Sequence, residues 1–252
     1  MNETLDTNSA IDQDAEANPP AARRPSQWAT WAEILLCSGY PTQIVIGTVL
    51  VAAGMSPGTS PETLSPRFVF ALSLIDTVVL LSLIVVLLVR RGERPRDVFF
   101  GDRPAFPEMA FGVFTVPFVF SAVLVLMVSI LRFVPELHNV PQNPLENFLG
   151  TKVGVWMFLF VAIVAGGVRE ELQRAFLLHR FKHDLGQPWL GLLIASIAFG
   201  LGHTMQGNDA AIVTGVLGAI WGAMYLVRGS ALASMVSHSL FNSAELLRIF
   251  LR

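Results

Sequence analysis

Seven long apolar runs, separated by short stretches bearing charge, Gly or Pro, set the pattern of this chain. They are Trp31 to Ala53, with Pro41 as a kink, then Phe68 to Val89, Ala110 to Phe133, Val153 to Val168, Trp189 to His203, Ala211 to Val227 and Ala231 to Leu247. A membrane-crossing helix needs about 20 mostly apolar residues, and these runs approach or reach that length. Backbone groups in lipid must bond among themselves, and no ten-residue alternating strands are seen, so helices are the expected element. The pattern therefore predicts an all-α, polytopic membrane bundle of about seven transmembrane helices; the polar residues described below put a candidate active site in its C-terminal four-helix core. The fourth run continues as a charged helix to about Lys182, and Gly186-Gln187-Pro188 marks a turn into the fifth.

Composition sharpens this reading. Of 252 residues, 53% are hydrophobic and only 14% charged, where a soluble domain carries about 25% charged residues. The net charge of −2 gives no electrostatic basis for a nucleic-acid partner. Cys37, the sole cysteine, lies in an apolar run and reads as a packed thiol. Residues 1–28 read as a disordered tail without a cleaved signal, residues 29–150 as N-terminal transmembrane helices with a basic inner loop, and residues 151–252 as a C-terminal helical core, which the resemblance given below implies to be catalytic. Arg90, Arg91, Arg94, Arg96 and Arg103 follow the second run. By the positive-inside rule they place that loop, and with it the N-terminus, on the cytoplasmic side of a cell membrane. The stretch Asp97 to Pro107 reads equally as an inner-interface segment or a plain loop.

Ionisable residues joined to membrane-length segments are functional candidates by default. Glu170 and Glu171 end the fourth run, His203 closes the fifth after Phe199, and His238 with Asn242 sits in the seventh. In an antiparallel hairpin about the Gly186-Gln187 turn, Glu170 and His203 come level. Glu170 and Arg174 are four apart and are expected to pair on one helix face, while Glu171 points about 100° away. Asp76 lies inside the second run, its partner unassigned, and His179 with His183 reads as a solvated basic face. Gly218 and Gly222, with Gly191 and Ala195, form small-xxx-small pairs that let the fifth and sixth helices pack closely.

A poorly hydrated carboxylate is a competent base, an imidazole can hold a water, and His238 with Asn242 supplies donors for an oxyanion. The same groups permit a second version, a zinc ion on His203 and His238 with a glutamate as ligand or base. No HExxH occurs.

In this order on successive apolar helices, Glu170-Glu171 with Arg174, Phe199-x-x-x-His203 and His238-x-x-x-Asn242 resemble the CPBP family. This family comprises the CAAX prenyl endopeptidases of the second type and bacteriocin-processing or self-immunity proteins, also called ABI. The resemblance covers about Val153 to Leu247. It implies an intramembrane endopeptidase in which Glu170 activates water with help from His203, and His238 with Asn242 forms the oxyanion site. Glu171, Arg174 and Phe199 would support them. The substrate would be a peptide or membrane-associated protein met at the lipid bilayer. Family members are described both as zinc-dependent and as metal-independent glutamate proteases, so zinc stays open as a cofactor. One departure stands out: the family's Glu-Glu-x-x-x-Arg is here Glu-Glu-x-x-Arg. If Arg174 fixes the register, the glutamate places fall on Arg169 and Glu170; if the glutamates fix it, the arginine's place falls on Ala175. Glu170 is the favoured base and Glu171 its alternative. Two other functions fit the polar cluster: a non-catalytic adaptor or immunity protein, which would tolerate Glu170→Gln, and a transporter with a proton relay, which would show inverted repeats.

Overall fold

The computed structural model describes residues 26–58, 63–140, 143–150 and 152–251. The tail reading for the first 25 residues therefore lies outside them, while Ser26 and Gln27 already begin a helix. Ten α-helices follow in order: α1 Gln27–Leu36, α2 Tyr40–Ala52, α3 Pro66–Arg90, α4 Pro95–Phe100, α5 Ala105–Phe133, α6 Lys152–Val161, α7 Glu170–His183, α8 Pro188–Leu201, α9 Asn208–Arg228 and α10 Leu232–Phe250. A π-helical segment, Ala162–Arg169, joins α6 to α7 without a break in the rod. Among the described residues there is no strand.

The helix ends obey local chemistry. Ser65 accepts from the Phe68 N–H at 3.4 Å at the start of α3, and Pro66 takes the first turn, where its missing N–H costs nothing. Gly186 adopts φ +70° and Pro188 opens α8, so the turn between α7 and α8 falls where the sequence placed it.

Among the described residues four helices are long and apolar enough to cross a membrane: α3, α5, the rod Val153–His183 and α9. The α1–α2 pair, bent by 42°, adds a fifth if it is counted as one span. The predicted fifth and seventh runs do form helices, α8 and α10, but neither meets that standard. The apolar α8 has only 14 residues, and α10 carries His238, Asn242, Glu245 and several serines. α8 packs along α9 and leaves Trp189, Leu193, Ile197 and Leu201 exposed, whereas α10 packs against α5 and the π segment.

The segment after α3 is not a plain loop, because α4 forms over Pro95–Phe100 and α5 begins at Ala105. Val98 and Phe99 of α4 are buried, and their carbonyls accept from the Tyr225 hydroxyl at 2.9 Å and the Ala231 N–H at 2.7 Å. Close by, the fully buried Arg180 bonds Glu33 at 2.9 Å and Glu93 at 2.6 Å, and Arg91 bonds Glu33 at 2.9 Å and Asp184 at 2.7 Å. His179 Nε2 donates to the Glu93 carboxylate at 2.6 Å and the side chain is only 14% exposed, which overturns its reading as a solvated face. A cleft of about 510 Å³ opens here, lined by Glu93, Arg94, Asp97, His179, Lys182 and Tyr225 among others.

Burial pushes the Glu93 carboxyl up, but the hydrogen bonds and charges of His179 and Arg180 outweigh it and hold the group below the usual range. A carboxyl depressed by folding adds stability that is present above its unfolded value, about 4.3, and is lost as pH falls through the folded value. Thermal unfolding of detergent-purified protein is thus expected to show a loss of stability below about pH 4.3 that Glu93→Gln reduces. An identical acid limb in both proteins would contradict the assignment.

Candidate active site

The site is built where α7, α8, α9 and α10 converge on the end of the π segment. π turns are uncommon and often mark functional positions, and this one ends at Arg169, immediately before Glu170. Its close approach to α10 depends on glycine. A Cβ on Gly167 would overlap the Ser239 hydroxyl and stand 2.9 Å from the Ser239 Cα, and one on Gly166 would stand 2.7 Å from the Asn242 amide nitrogen.

Glu171 is the deepest acid of the cluster, its side chain 1% exposed. Its Oε1 is paired with Arg174 on the same helix and lies 2.9 Å from His238 Nδ1 on α10. Arg174 therefore serves Glu171, at i,i+3, rather than the expected Glu170. Residues three and four apart are both helix neighbours, so the shortened motif still delivers its arginine to a glutamate, the second one. Glu170 is freed from Arg174: its side chain is 18% exposed and its Oε2 lies 3.9 Å from His238 Nε2. One imidazole thus stands between two carboxylates, one on each ring nitrogen. Arg169 turns the other way, to Asp76 on α3 at 3.0 Å, so in the alternative register the first acid's place would hold a cation committed elsewhere.

Rings fix the rest. Trp221 on α9 stacks on His238 with centroids 3.8 Å apart and planes at 16°, and its indole N–H donates to Ser237 Oγ at 3.1 Å. Phe199 stands edge-on to both histidines, 4.9 Å from the His203 ring and 6.3 Å from the His238 ring, and carries the Arg174 guanidinium 4.5 Å above its face. His203 lies just beyond the end of α8, its Nδ1 2.8 Å from the Phe199 carbonyl. Among the described residues no hydrogen bond or ion pair joins it to Glu170, and Phe199 is its link to the cluster. Asn242, one turn beyond His238, donates to the Ala162 carbonyl of the π segment at 3.4 Å.

Sequence reasoning treated Gly218 and Gly222 as packing residues only. They also make room for Arg174: a Cβ on Gly222 would stand 3.2 Å from its Cδ, and one on Gly218 would stand 2.9 Å from Phe199 and 3.7 Å from an Arg174 guanidinium nitrogen. Missed too was Trp221, which in a one-dimensional reading is one more apolar residue of a span.

A zinc ion needs three or four protein ligands. Among the described residues no group of three or more His, Cys, Asp and Glu side chains is arranged to hold a metal, and Nδ1 of His238 already faces Glu171.

Residues 151–244 match the family model for type II CAAX prenyl endopeptidase, Rce1-like. The match falls on the same stretch whose motifs resemble the CPBP family, and it covers less than half of the chain. All seven candidate residues, Glu170, Glu171, Arg174, Phe199, His203, His238 and Asn242, fall inside the Rce1-like region. No curated protein and no solved structure matches the chain.

Overpacking a tight contact costs about 1–3 kcal/mol. Gly167→Ala is expected to lower stability by about that much, because the new methyl must displace α10. Gly150→Ala, with no atom within 4 Å of its Cβ, is expected to change stability by less than about 0.5 kcal/mol. Thermal unfolding of the two variants side by side checks the difference.

Proposed function

We propose that the chain is an intramembrane endopeptidase that hydrolyses a peptide bond of a membrane-associated protein or peptide by glutamate-activated water. The observation that carries this reading is the placement of His238 between Glu171 at 2.9 Å and Glu170 at 3.9 Å, inside the Rce1-like region. Glu171 accepts from His238 Nδ1–H and thereby aims Nε2 at the space in front of Glu170. Arg174 offsets the charge of Glu171. With His238 as imidazolium, the two glutamates, Arg174 and His238 sum to zero charge, which suits a site with little water.

In the reaction Glu170 takes a proton from water as the water oxygen attacks the scissile carbonyl carbon. His238 Nε2–H and the Asn242 amide donate to the carbonyl oxygen as it becomes negative. The attacking and carbonyl oxygens end on one tetrahedral carbon, so their protein partners must be close neighbours, and 3.9 Å between Glu170 and His238 meets that need. The C–N bond then breaks, Glu170 returns the proton to the leaving nitrogen, and a carboxylic acid and an amine result. His203, held by the Phe199 carbonyl and ring, assists by holding the water. The step uses no metal. Placing the N-terminus and the Arg91–Arg94 end on the cytoplasmic side is part of the same proposal, supported by the positive-inside rule.

Purified protein in detergent, assayed on a quenched peptide library, tests the reading. Glu170→Gln is expected to lower kcat by about 10²- to 10⁴-fold, as loss of a general base does. Glu171→Gln is expected to lower it by about 10- to 100-fold, as loss of an orienting partner does. His203→Ala is expected to lower it as well, and a zinc chelator to leave the wild-type rate unchanged. Full cleavage by both Glu170→Gln and His203→Ala would overturn the site.

A further inference from the structure

A second buried polar network lies on the opposite side of α7 and reaches helices outside the Rce1-like region. Asp76, fully buried in the middle of α3, receives hydrogen bonds from Thr42 Oγ1 at 2.5 Å and Gln43 Nε2 at 3.5 Å on α2, and pairs with Arg169 at 3.0 Å. Arg169 also donates to Gln173 Oε1 at 3.0 Å, and Gln173 donates to the Cys37 carbonyl at 2.9 Å, at the break between α1 and α2. That break is shaped to admit it: Gly39 has φ +91°, and a Cβ there would stand 3.0 Å from the Gln173 amide nitrogen.

Arg169 and Gln173 are four apart and so share one face of the helix. Glu170, Glu171 and Arg174 occupy the remainder of its circumference and serve the site. Fixing the Arg169–Gln173 face against α2 and α3 therefore fixes the rotation at which the two glutamates are presented to α10. The need for such a pin follows from what precedes it. A π segment is a less regular backbone than an α-helix, and it delivers the chain directly into Glu170. A buried ion pair is weak evidence for stability, because desolvation offsets its attraction, and its better-attested use is to set register.

Resting on the peptidase reading above, we infer that Asp76 is a positioning residue for the reaction: through Arg169 it sets the rotation of α7 and so aims Glu170. The site is then incomplete without α2 and α3, even though the family match begins at residue 151.

The test uses the full chain, purified in detergent, with Asp76→Asn and Gln173→Leu compared with wild type. The first readout needs no substrate. The infrared carboxylate band of Glu170, in protein labelled with ¹³C-glutamate, is isolated by subtracting the Glu170→Gln counterpart in each background. The band is expected to move in both variants as the hydrogen-bonding environment of Glu170 changes. The second readout is cleavage of the fastest peptide from the library. Asp76→Asn is expected to lower kcat about 10- to 100-fold with KM changed less than about twofold, since misplacement of a reacting group falls on the chemical step. Arg169→Gln and the Asp76→Asn/Arg169→Gln double variant are expected to be no slower than Asp76→Asn alone, because the pair acts as a unit. A lowered thermal midpoint with an unmoved Glu170 band and an unchanged kcat per folded molecule would overturn the proposal and leave the pair purely structural. If Asp76→Asn does not fold, Arg169→Gln decides by the same two readouts, since it breaks the same ion pair from the other side. A folded wild type that cleaves no peptide counts against the peptidase reading, and the infrared comparison still judges the pin.

Discussion

Glu171 is a carboxylate almost wholly enclosed by protein, and a charge so placed persists only if it is met by cations and hydrogen-bond donors. Arg174 and His238 meet it from two directions, within α7 and from α10. Much of the surrounding packing serves that meeting. Gly218 and Gly222 clear a path for the Arg174 stem, Phe199 lies under its guanidinium, and Trp221 stacks on the imidazole. Gly166 and Gly167 let α10 come close enough to the π segment for His238 to reach across. Removal of any one of these features would leave either a buried charge unpaired or a ring free to turn.

That constraint divides labour between two adjacent residues of the same type. Glu171 is committed by its contacts and has little freedom to exchange a proton with a substrate. Glu170, partly exposed and free of Arg174, keeps the freedom a base needs while staying beside His238. The shortened Glu-Glu-x-x-Arg motif therefore does not empty the site; it moves the arginine's pairing from a four-residue to a three-residue spacing. On the far side of α7 a separate set of buried contacts, centred on Asp76 and Arg169, ties this helix to the N-terminal helices. At the start of α7 the charged groups are thus sorted by helix face, with Glu170, Glu171 and Arg174 toward the candidate site and Arg169 toward α3.

Much of this was legible in one dimension. Apolar runs marked the helices, Gly186 and Pro188 marked the turn before α8, and the spacing of His238 and Asn242 placed both on one face of α10. The membrane-span count was less legible, because length and apolarity separate α3, α5 and α9 from the shorter α8 and the polar α10 only once the helix ends are known. Pairings across distant segments were not legible at all. Nothing local in the sequence joins Asp76 to Arg169, His179 to Glu93 or Phe99 to Ala231, since each depends on which helices become neighbours. Glu170 was assigned to Arg174 by spacing alone, and spacing cannot rank i,i+3 against i,i+4 when adjacent residues carry the same side chain. The π segment had no sequence signal beyond its paired glycines.

The central claim is that Glu171 orients His238 by accepting a hydrogen bond from Nδ1. The most direct measurement is ¹⁵N NMR of histidine-labelled protein in bilayers, with the His238 signals assigned by loss in His238→Gln. The account predicts a protonated Nδ1 in the wild type and a changed Nδ1 signal in Glu171→Gln. A bare Nδ1 in the wild type, or a His238 spectrum untouched by Glu171→Gln, would contradict it.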